Sequence, residues 1–242
     1  MKEQLKRMNE VKLSKRLEEV VLEVPVGATV ADIGSDHAYL PCYAILQGIA
    51  SKAVAGEVVE GPFCSAQATV AQCGLKDKID VRKGSGLAVI SPGEVDAITI
   101  AGMGGALIRD ILEDGKEKLE GVTRLILQPN IAAHHIREWF IENGWELIKE
   151  KIVKEDGKIY EILVGERGDT LRPYNIQKEE ALLMGPFLMK GKSEVFAEKW
   201  TNEVKNFKNI LAQLERATET EETKVKREEI LHKIRMVEEV LA

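Results

Sequence analysis

Up to Gly168, short apolar runs alternate with stretches of helical spacing. Thr29 to Ile33 is apolar and broken by Gly34, which predicts a buried strand running into a turn. Ala38 to Ile49 then reads as a helix. The alternation repeats with strands at Ala53 to Glu57, Ile79 to Arg82, Asp96 to Ile100 and Arg124 to Leu127. Helices are predicted between and after them, at Pro62 to Cys73, Ala106 to Leu112 and Ala132 to Glu142. Strands alternating with helices of about a dozen residues imply a parallel sheet covered on both faces. Glu146 to Val153 and Lys158 to Val164 flank the turn signal Glu155-Asp156-Gly157 and predict a terminal antiparallel hairpin. Ahead of the first strand, Leu13, Leu17, Val20 and Val21 predict an amphipathic helix over residues 9 to 23, ended by Pro25 and Gly27.

After Gly168 the β-branched runs stop. Phe196, Trp200, Val204, Phe207, Leu211 and Leu214 step by three or four, as do Ile230, Ile234, Val237 and Leu241. The polar stretch Thr218 to Thr223 separates the two series. Two or three long antiparallel helices fit this pattern, as a helical hairpin or short coiled coil. The expected fold is therefore α/β: a Rossmann-like domain over residues 1–167, with a mostly parallel sheet and a terminal antiparallel hairpin, then an α-helical, coiled-coil-like domain over 168–242.

Composition adds limits. Of the 242 residues, 44% are hydrophobic and 31% charged, an ordinary globular balance. There is no run of the roughly 18 to 20 apolar residues that a membrane span needs, and the start of the chain lacks an apolar leader. A cytoplasmic location and no membrane partner are expected. Cys42, Cys64 and Cys73 form no CxxC pair, so ordinary buried thiols and no metal are expected. The net charge of −6 argues mildly against nucleic acid. However, Met1 to Arg16 carries six cations, among them Lys12, Lys15 and Arg16, against two glutamates.

The chemistry concentrates at strand ends. Ala31-Asp32-Ile33-Gly34-Ser35-Asp36-His37-Ala38-Tyr39-Leu40-Pro41 puts an acidic residue at the end of the first strand and a glycine turn before a helix. That is a nucleotide-binding arrangement. Dinucleotide enzymes want G-x-G-x-x-G there, so that pyrophosphate can sit on the helix N-terminus. Here Asp36 and Ala38 stand at the other two glycine positions, and a carboxylate repels pyrophosphate. It attracts a ligand carrying an ammonium and a sulfonium, as S-adenosyl-L-methionine does. Glu57 ends the second strand 23 residues after Gly34, where an acidic group grips ribose hydroxyls. Gly84 and Ser85 follow the third strand, where this fold meets adenine. Ala101, Gly102 and Met103, with Gly104 and Gly105, follow the fourth, and so many small residues imply close ligand approach. The expected cofactor contacts are Asp32, Gly34, Ser35, Glu57, Val58, Gly84, Ser85, Ala101, Gly102 and Met103.

The string from Asp32 to Pro41 resembles the bacterial TrmK family. So do Gly56-Glu57-Val58, Ala101 to Gly105, Leu127-Gln128-Pro129-Asn130 and the opening Leu13-Ser14-Lys15-Arg16-Leu17. Members are class I methyltransferases acting on N1 of the D-arm adenine at tRNA position 22. The resemblance implies that chemistry, with S-adenosyl-L-methionine as cofactor and tRNA as partner. One departure stands out: the family usually has Gly-Asp-Gly-Leu where this chain has Gly84-Ser85-Gly86-Leu87, and Ser85 is a weaker acceptor for the adenine amine than a carboxylate.

Under that resemblance Asp36 is the catalytic candidate, accepting from the amine of the target adenine, with His37 beside it as orienter or proton acceptor. Arg16, Tyr39, Asn130, Lys190 and Lys192 are candidates for contact with the substrate. Asn130 could also cap the helix opened by His134 and His135. A monomer is favoured over an oligomer. The alternatives are a methyltransferase acting on a small molecule or protein, or a non-catalytic cofactor-binding adaptor.

Overall fold

The computed structural model describes residues 11–242 other than Ile176 and Ala217. Lys2, Lys6 and Arg7 of the basic opening, and the first two positions of the helix predicted over 9 to 23, lie outside the described residues. The chain divides into two compact units, the first running to Arg172 and the second from Pro173 to Ala242.

In the first unit a helix, α1 (Lys15–Val21), precedes a seven-stranded sheet of order β3-β2-β1-β4-β5-β7-β6. The strands are β1 (Thr29–Ile33), β2 (Lys52–Glu57), β3 (Ile79–Lys83), β4 (Ala97–Gly104), β5 (Arg124–Ile131), β6 (Trp145–Glu155) and β7 (Lys158–Arg167). β1 to β5 are parallel, while β7 runs antiparallel to β5 and forms a hairpin with β6. The intervening helices are α2 (Tyr39–Leu46), α3 (Glu60–Gln72), α4 (Gly105–Asp114) and α5 (His134–Glu142). This is the expected Rossmann-like α/β sheet with a terminal hairpin. Asp156 and Gly157 close that hairpin with φ of 49° and 74°, the left-handed pair that a two-residue turn needs.

Three predicted boundaries shift, each for a physical reason. α1 begins only at Lys15, because Ser14 is extended and its hydroxyl accepts from the Leu17 N–H, ending the helix on that side. β4 and β5 each run about four residues beyond their predicted ends, past the rim of the sheet, because they continue to pair with each other there. Asn130 lies within that extension of β5, so it does not cap α5; Ala133 stands at the cap and makes no side-chain bond. Cys42 and Cys73 are buried, and burial pushes the Cys42 thiol up, whereas Cys64 is exposed.

α1 is fastened to the hairpin by charge. Glu155 at the hairpin tip accepts from the Lys15 N–H at 2.6 Å and the Arg16 N–H at 3.3 Å. Lys151 pairs with Glu19 of the same helix and with the buried Glu23 just after it. The hairpin is in turn held to α5 by Arg137, which pairs with Glu150 of β6 and Glu161 of β7; none of the three side chains is more than 2% exposed.

The second unit contains the short helices α6 (Lys178–Met184) and α7 (Pro186–Gly191), then two long ones, α8 (Glu194–Leu214) and α9 (Glu221–Leu241). Phe196, Trp200 and Val204 of α8 and Ile230, Ile234 and Val237 of α9 are buried, so the aromatic stripe is core. Each such burial contributes about 1.5–3 kcal/mol. The break between the long helices lies three residues earlier than the sequence suggests, between Leu214 and Glu221. Thr220 caps α9 through a reciprocal bond with Thr223, which draws residues 221–223 into the helix.

Removing Arg137 takes a buried cation away from two buried glutamates. Arg137→Ala is expected to lose about 3–5 kcal/mol of stability, and replacing all three charged residues with leucine much less. Urea denaturation of both variants checks this; equal losses would show that packing, not buried charge, sets the cost.

Candidate active site

The strand order reverses between β1 and β4, and open α/β sheets bind ligands beyond the carboxyl ends of the strands at such a point. A cleft of about 400 Å³ lies there. Its walls include Arg16, Asp32, Gly34, Ser35, Asp36, His37, Tyr39, Glu57, Ala101, Gly102 and Met103, so loops far apart in sequence meet in it. Leu17 and Leu40, which the sequence did not single out, also line it.

Asp32 ends β1 with its carboxylate buried. Its two oxygens accept from Ser35 Oγ at 2.6 Å and Thr99 Oγ1 at 2.7 Å. Burial pushes its pKa up, the two hydroxyls pull it down, and the nearby Glu57 carboxylate raises it again; the net shift is upward. The bond to Ser35 also shapes the following loop. Gly34 turns with φ of 72°, where a side chain is strained, and a Cβ there would also have to displace the flexible end of Met103, 2.2 Å away. The Gly34 and Ser35 N–H groups donate to the Gly56 carbonyl of β2. Asp36 and Ala38 are also left-handed, at 54° and 55°, a conformation that costs an ordinary L-residue roughly 1–2 kcal/mol. Backbone strain of this kind clusters at ligand-binding sites.

Glu57 is the counterpart at the end of β2. It is buried, and its Oε1 accepts from the Asp36 N–H, which ties the β1 loop to β2. Its other oxygen remains for a ligand. The Asp36 side chain is 70% exposed, with His37 Nε2 3.7 Å from its Oδ1. The His37 and Tyr39 rings stack at 5.2 Å and 13°.

On the opposite side the β4 extension departs from regular pairing at Gly102, whose φ is 83°. Side chains of β5 take over there: Gln128 Oε1 accepts from the Gly102 N–H at 3.0 Å, and Asn130 Nδ2 donates to the Gly102 carbonyl at 2.7 Å. Gln128 also accepts from Arg16. Gln128 was quoted in a motif but given no role; the signal for it was an amide within an otherwise apolar, buried strand.

The remaining candidates are placed elsewhere. Val58 follows Glu57 and is exposed; the Gly84 N–H donates to the Glu57 carbonyl at 2.8 Å; Ser85 is exposed and precedes a single turn at Gly86–Val89. None of these three lines the cleft, nor does Asn130, which reaches it only through Gly102. Lys190 and Lys192 are exposed at the end of α7 in the second unit. His135 faces Glu138 at 3.5 Å, and His232 bonds Glu179 at 2.8 Å.

Over residues 30–239 the chain matches the family TrmK, tRNA (adenine(22)-N(1))-methyltransferase. It is 54% identical to the tRNA (adenine(22)-N(1))-methyltransferase of Bacillus subtilis over 97% of this chain and 99% of that one. The crystal structure of the Bacillus subtilis M1A22 tRNA methyltransferase TrmK aligns with a TM-score of 0.92 and 53% identity, covering 96% of this chain and all of that one. A putative tRNA (m1A22) methyltransferase of Streptococcus pneumoniae in complex with S-adenosyl-L-methionine aligns with a TM-score of 0.84 and 42% identity, over 96% and 100% of the two chains.

The upward shift of Asp32 has a consequence for stability. A carboxyl whose pKa is raised by folding favours the folded state when protonated, and its ionised form costs stability above that raised pKa. Asp32→Asn keeps both hydroxyl contacts and removes the buried charge. It should raise the melting temperature of the ligand-free protein at neutral pH by about 2–4 °C, the shift that ~1 kcal/mol gives in a chain this size. The gain should shrink as pH falls through the raised pKa, since the wild type then protonates. A melting series from pH 8 to pH 4 that shows no gain at any pH would contradict the account.

Proposed function

The chain belongs to the TrmK family of tRNA (adenine(22)-N(1))-methyltransferases, and from that membership we propose how its cleft divides the work. The reaction moves a methyl group from S-adenosyl-L-methionine to N1 of adenine 22 in tRNA. The observation that carries the assignment of roles is the acidic, small-residue cleft where β1 and β4 diverge. Asp32, Asp36 and Glu57 offer acceptors and negative charge, which suits ribose hydroxyls, an ammonium and a sulfonium and opposes a pyrophosphate.

When bound, the cofactor supplies an electrophilic methyl group on its sulfonium. Asp32, Gly34, Ser35, Ala101, Gly102 and Met103 would form its bed and Glu57 would take the ribose, while Val58, Gly84 and Ser85, beyond the cleft next to Glu57, would border the adenine. Adenine N1 carries a lone pair, so the target needs placement more than activation. The base must leave its stack to present that edge. Tyr39, backed by the His37 ring, and Met103 flank it there. Asp36 accepts from the exocyclic amine as N1 becomes cationic, and His37 orients that carboxylate or takes its proton. Arg16 and Asn130 contact the substrate. The exposed Lys190 and Lys192, at the end of α7, serve as phosphate contacts. The enzyme acts in the cytoplasm, where tRNA is found, and as a monomer.

Incubated with labelled cofactor and unmodified bulk bacterial tRNA, the protein should yield N1-methyladenosine. Asp36→Ala should slow single-turnover transfer about 10²- to 10⁴-fold with little change in cofactor affinity. Glu57→Ala should do the reverse, weakening cofactor binding by about 1–3 kcal/mol. A fall of less than fivefold for Asp36→Ala at saturating substrates would remove it from the chemistry.

Phosphate contacts fix position without reading sequence and weaken as salt rises. A chain ending at Arg172 should keep cofactor binding, because its sheet is complete, and lose most tRNA methylation. Full-rate methylation by the shortened protein would give the helical unit another task.

A further inference from the structure

Gln128 occupies a position that sheet pairing alone does not explain. β4 and β5 pair regularly up to Ala101 and Gln128, and the register then shifts on either side of Met103. In place of the lost ladder stands a closed set of amide bonds. The Gly102 N–H donates to Gln128 Oε1 at 3.0 Å, Gln128 Nε2 donates to Asn130 Oδ1 at 3.3 Å, and Asn130 Nδ2 donates to the Gly102 carbonyl at 2.7 Å. The Gly102 N–H demands an oxygen, which turns the nitrogen of Gln128 toward Asn130 and the nitrogen of Asn130 toward the carbonyl. Each step fixes the next, so the orientation of both amides follows from the network itself.

The second lone pair of Gln128 Oε1 accepts from the guanidinium of Arg16, 112 residues earlier in the chain. That guanidinium also lies 5.2 Å from the centre of the Tyr160 ring. Among the described residues no carboxylate pairs with it; Glu155, which meets the start of α1, accepts from backbone N–H groups. An arginine held by a neutral amide and an aromatic face has no ion-pair partner to offset its charge, whereas one held by a carboxylate does. Arg16 and Gly102 both line the cleft, and the acidic residues Asp32, Asp36 and Glu57 line it too.

We propose that Gln128 is a positioning residue that presents Arg16 as an uncompensated cation to the cleft, where Arg16 binds an oxyanion. The anion is the α-carboxylate of the cofactor or a phosphate of the tRNA. Both offer the paired oxygens that a guanidinium fork matches. The carboxylate suits a cleft that also holds acids for the ammonium of the same zwitterion. The inference rests on the cleft being the cofactor site.

The test uses the full-length protein and four variants: Arg16→Ala, Arg16→Lys, Gln128→Glu and the double variant Gln128→Met with Arg16→Ala. Calorimetry measures affinity for S-adenosyl-L-methionine and for its decarboxylated form, which keeps the sulfonium and amine and lacks the carboxylate. Steady-state kinetics give KM for tRNA at several salt concentrations. Wild-type binding of the intact cofactor tests the cleft assignment by itself; the variants test Gln128 and Arg16.

If the ligand is the carboxylate, Arg16→Ala and Gln128→Glu weaken binding of the intact cofactor by about tenfold or more and leave the decarboxylated form bound as in wild type. If it is a phosphate, cofactor affinity is unchanged, KM for tRNA rises about tenfold, and the salt slope of tRNA binding falls by about one in Arg16→Ala. In either case Arg16→Lys keeps part of the function, and Gln128→Met combined with Arg16→Ala is no worse than Arg16→Ala alone. Gln128→Glu is the decisive variant, because it retains an acceptor for Gly102 and fixes a carboxylate against Arg16. Wild-type behaviour of Gln128→Glu in all three measurements overturns the proposal. So does equal weakening of both cofactor forms by Arg16→Ala, which would mark Arg16 as structural only.

Discussion

Asp32 lies at the carboxyl end of β1, buried, with its oxygens held by hydroxyls from the loop that follows it and from the neighbouring strand. Burying a charge without an ion-pair partner is costly, and the hydroxyls offset only part of that cost. The rest of the cleft is arranged around this residue. Ser35 must stay where its hydroxyl meets Asp32, which fixes the turn at Gly34, and the strained Asp36 and Ala38 follow from that path. Glu57 then receives the Asp36 N–H, so the second acid is bound to the first through the loop between them. A cation entering the cleft relieves the repulsion that the two carboxylates exert on each other. The fold thus stores an unfavourable interaction that a sulfonium or ammonium ligand can satisfy.

The cleft also has a cationic element made from different parts of the chain. α1 brings Arg16, and Ser14, Glu155, Glu19 and Glu23 determine where that helix sits. β5 brings Gln128 and Asn130, and their amides replace the ladder bonds that Gly102 gives up. The hairpin of β6 and β7 stands behind both, since its tip caps α1 and its body is pinned to α5 by Arg137. A change in the hairpin is therefore transmitted to Arg16 without touching any residue of the cleft. Acids and a guanidinium together suit a zwitterion or a nucleotide better than a simple cation.

Much of this was legible in the sequence, and the reason is local. Strand and helix periodicity report which faces of an element avoid water, so the alternation that builds the parallel sheet could be read directly. The Asp156-Gly157 turn is a short-range feature set by its own residues, and the glycine and acids of the Asp32-to-Pro41 loop could be read locally although β2 and β4 hold that loop in place. The acidic end of β2 follows from the same rule once β1 is placed, because parallel neighbours end together. The aromatic stripe of α8 declared itself as core by its spacing alone.

What the sequence left open depends on residues far apart in the chain. The start of α1 was read too early because periodicity extends past a cap. Asn130 looked like a helix cap because it precedes a helix, but continued pairing of β4 with β5 carries it into the sheet, where its amide serves Gly102. Arg137 was not singled out in the sequence, because only β6 and β7 bring it the two glutamates. Gln128 drew no role because a lone amide in an apolar strand gains meaning only when Arg16 and Gly102 arrive beside it. Local spacing is written in neighbouring residues, so the chain alone determined its elements and the positions of its acids. Hydrogen-bond partners more than a hundred residues apart are chosen by packing, so only the folded structure decided which polar groups are satisfied and which charge is left free.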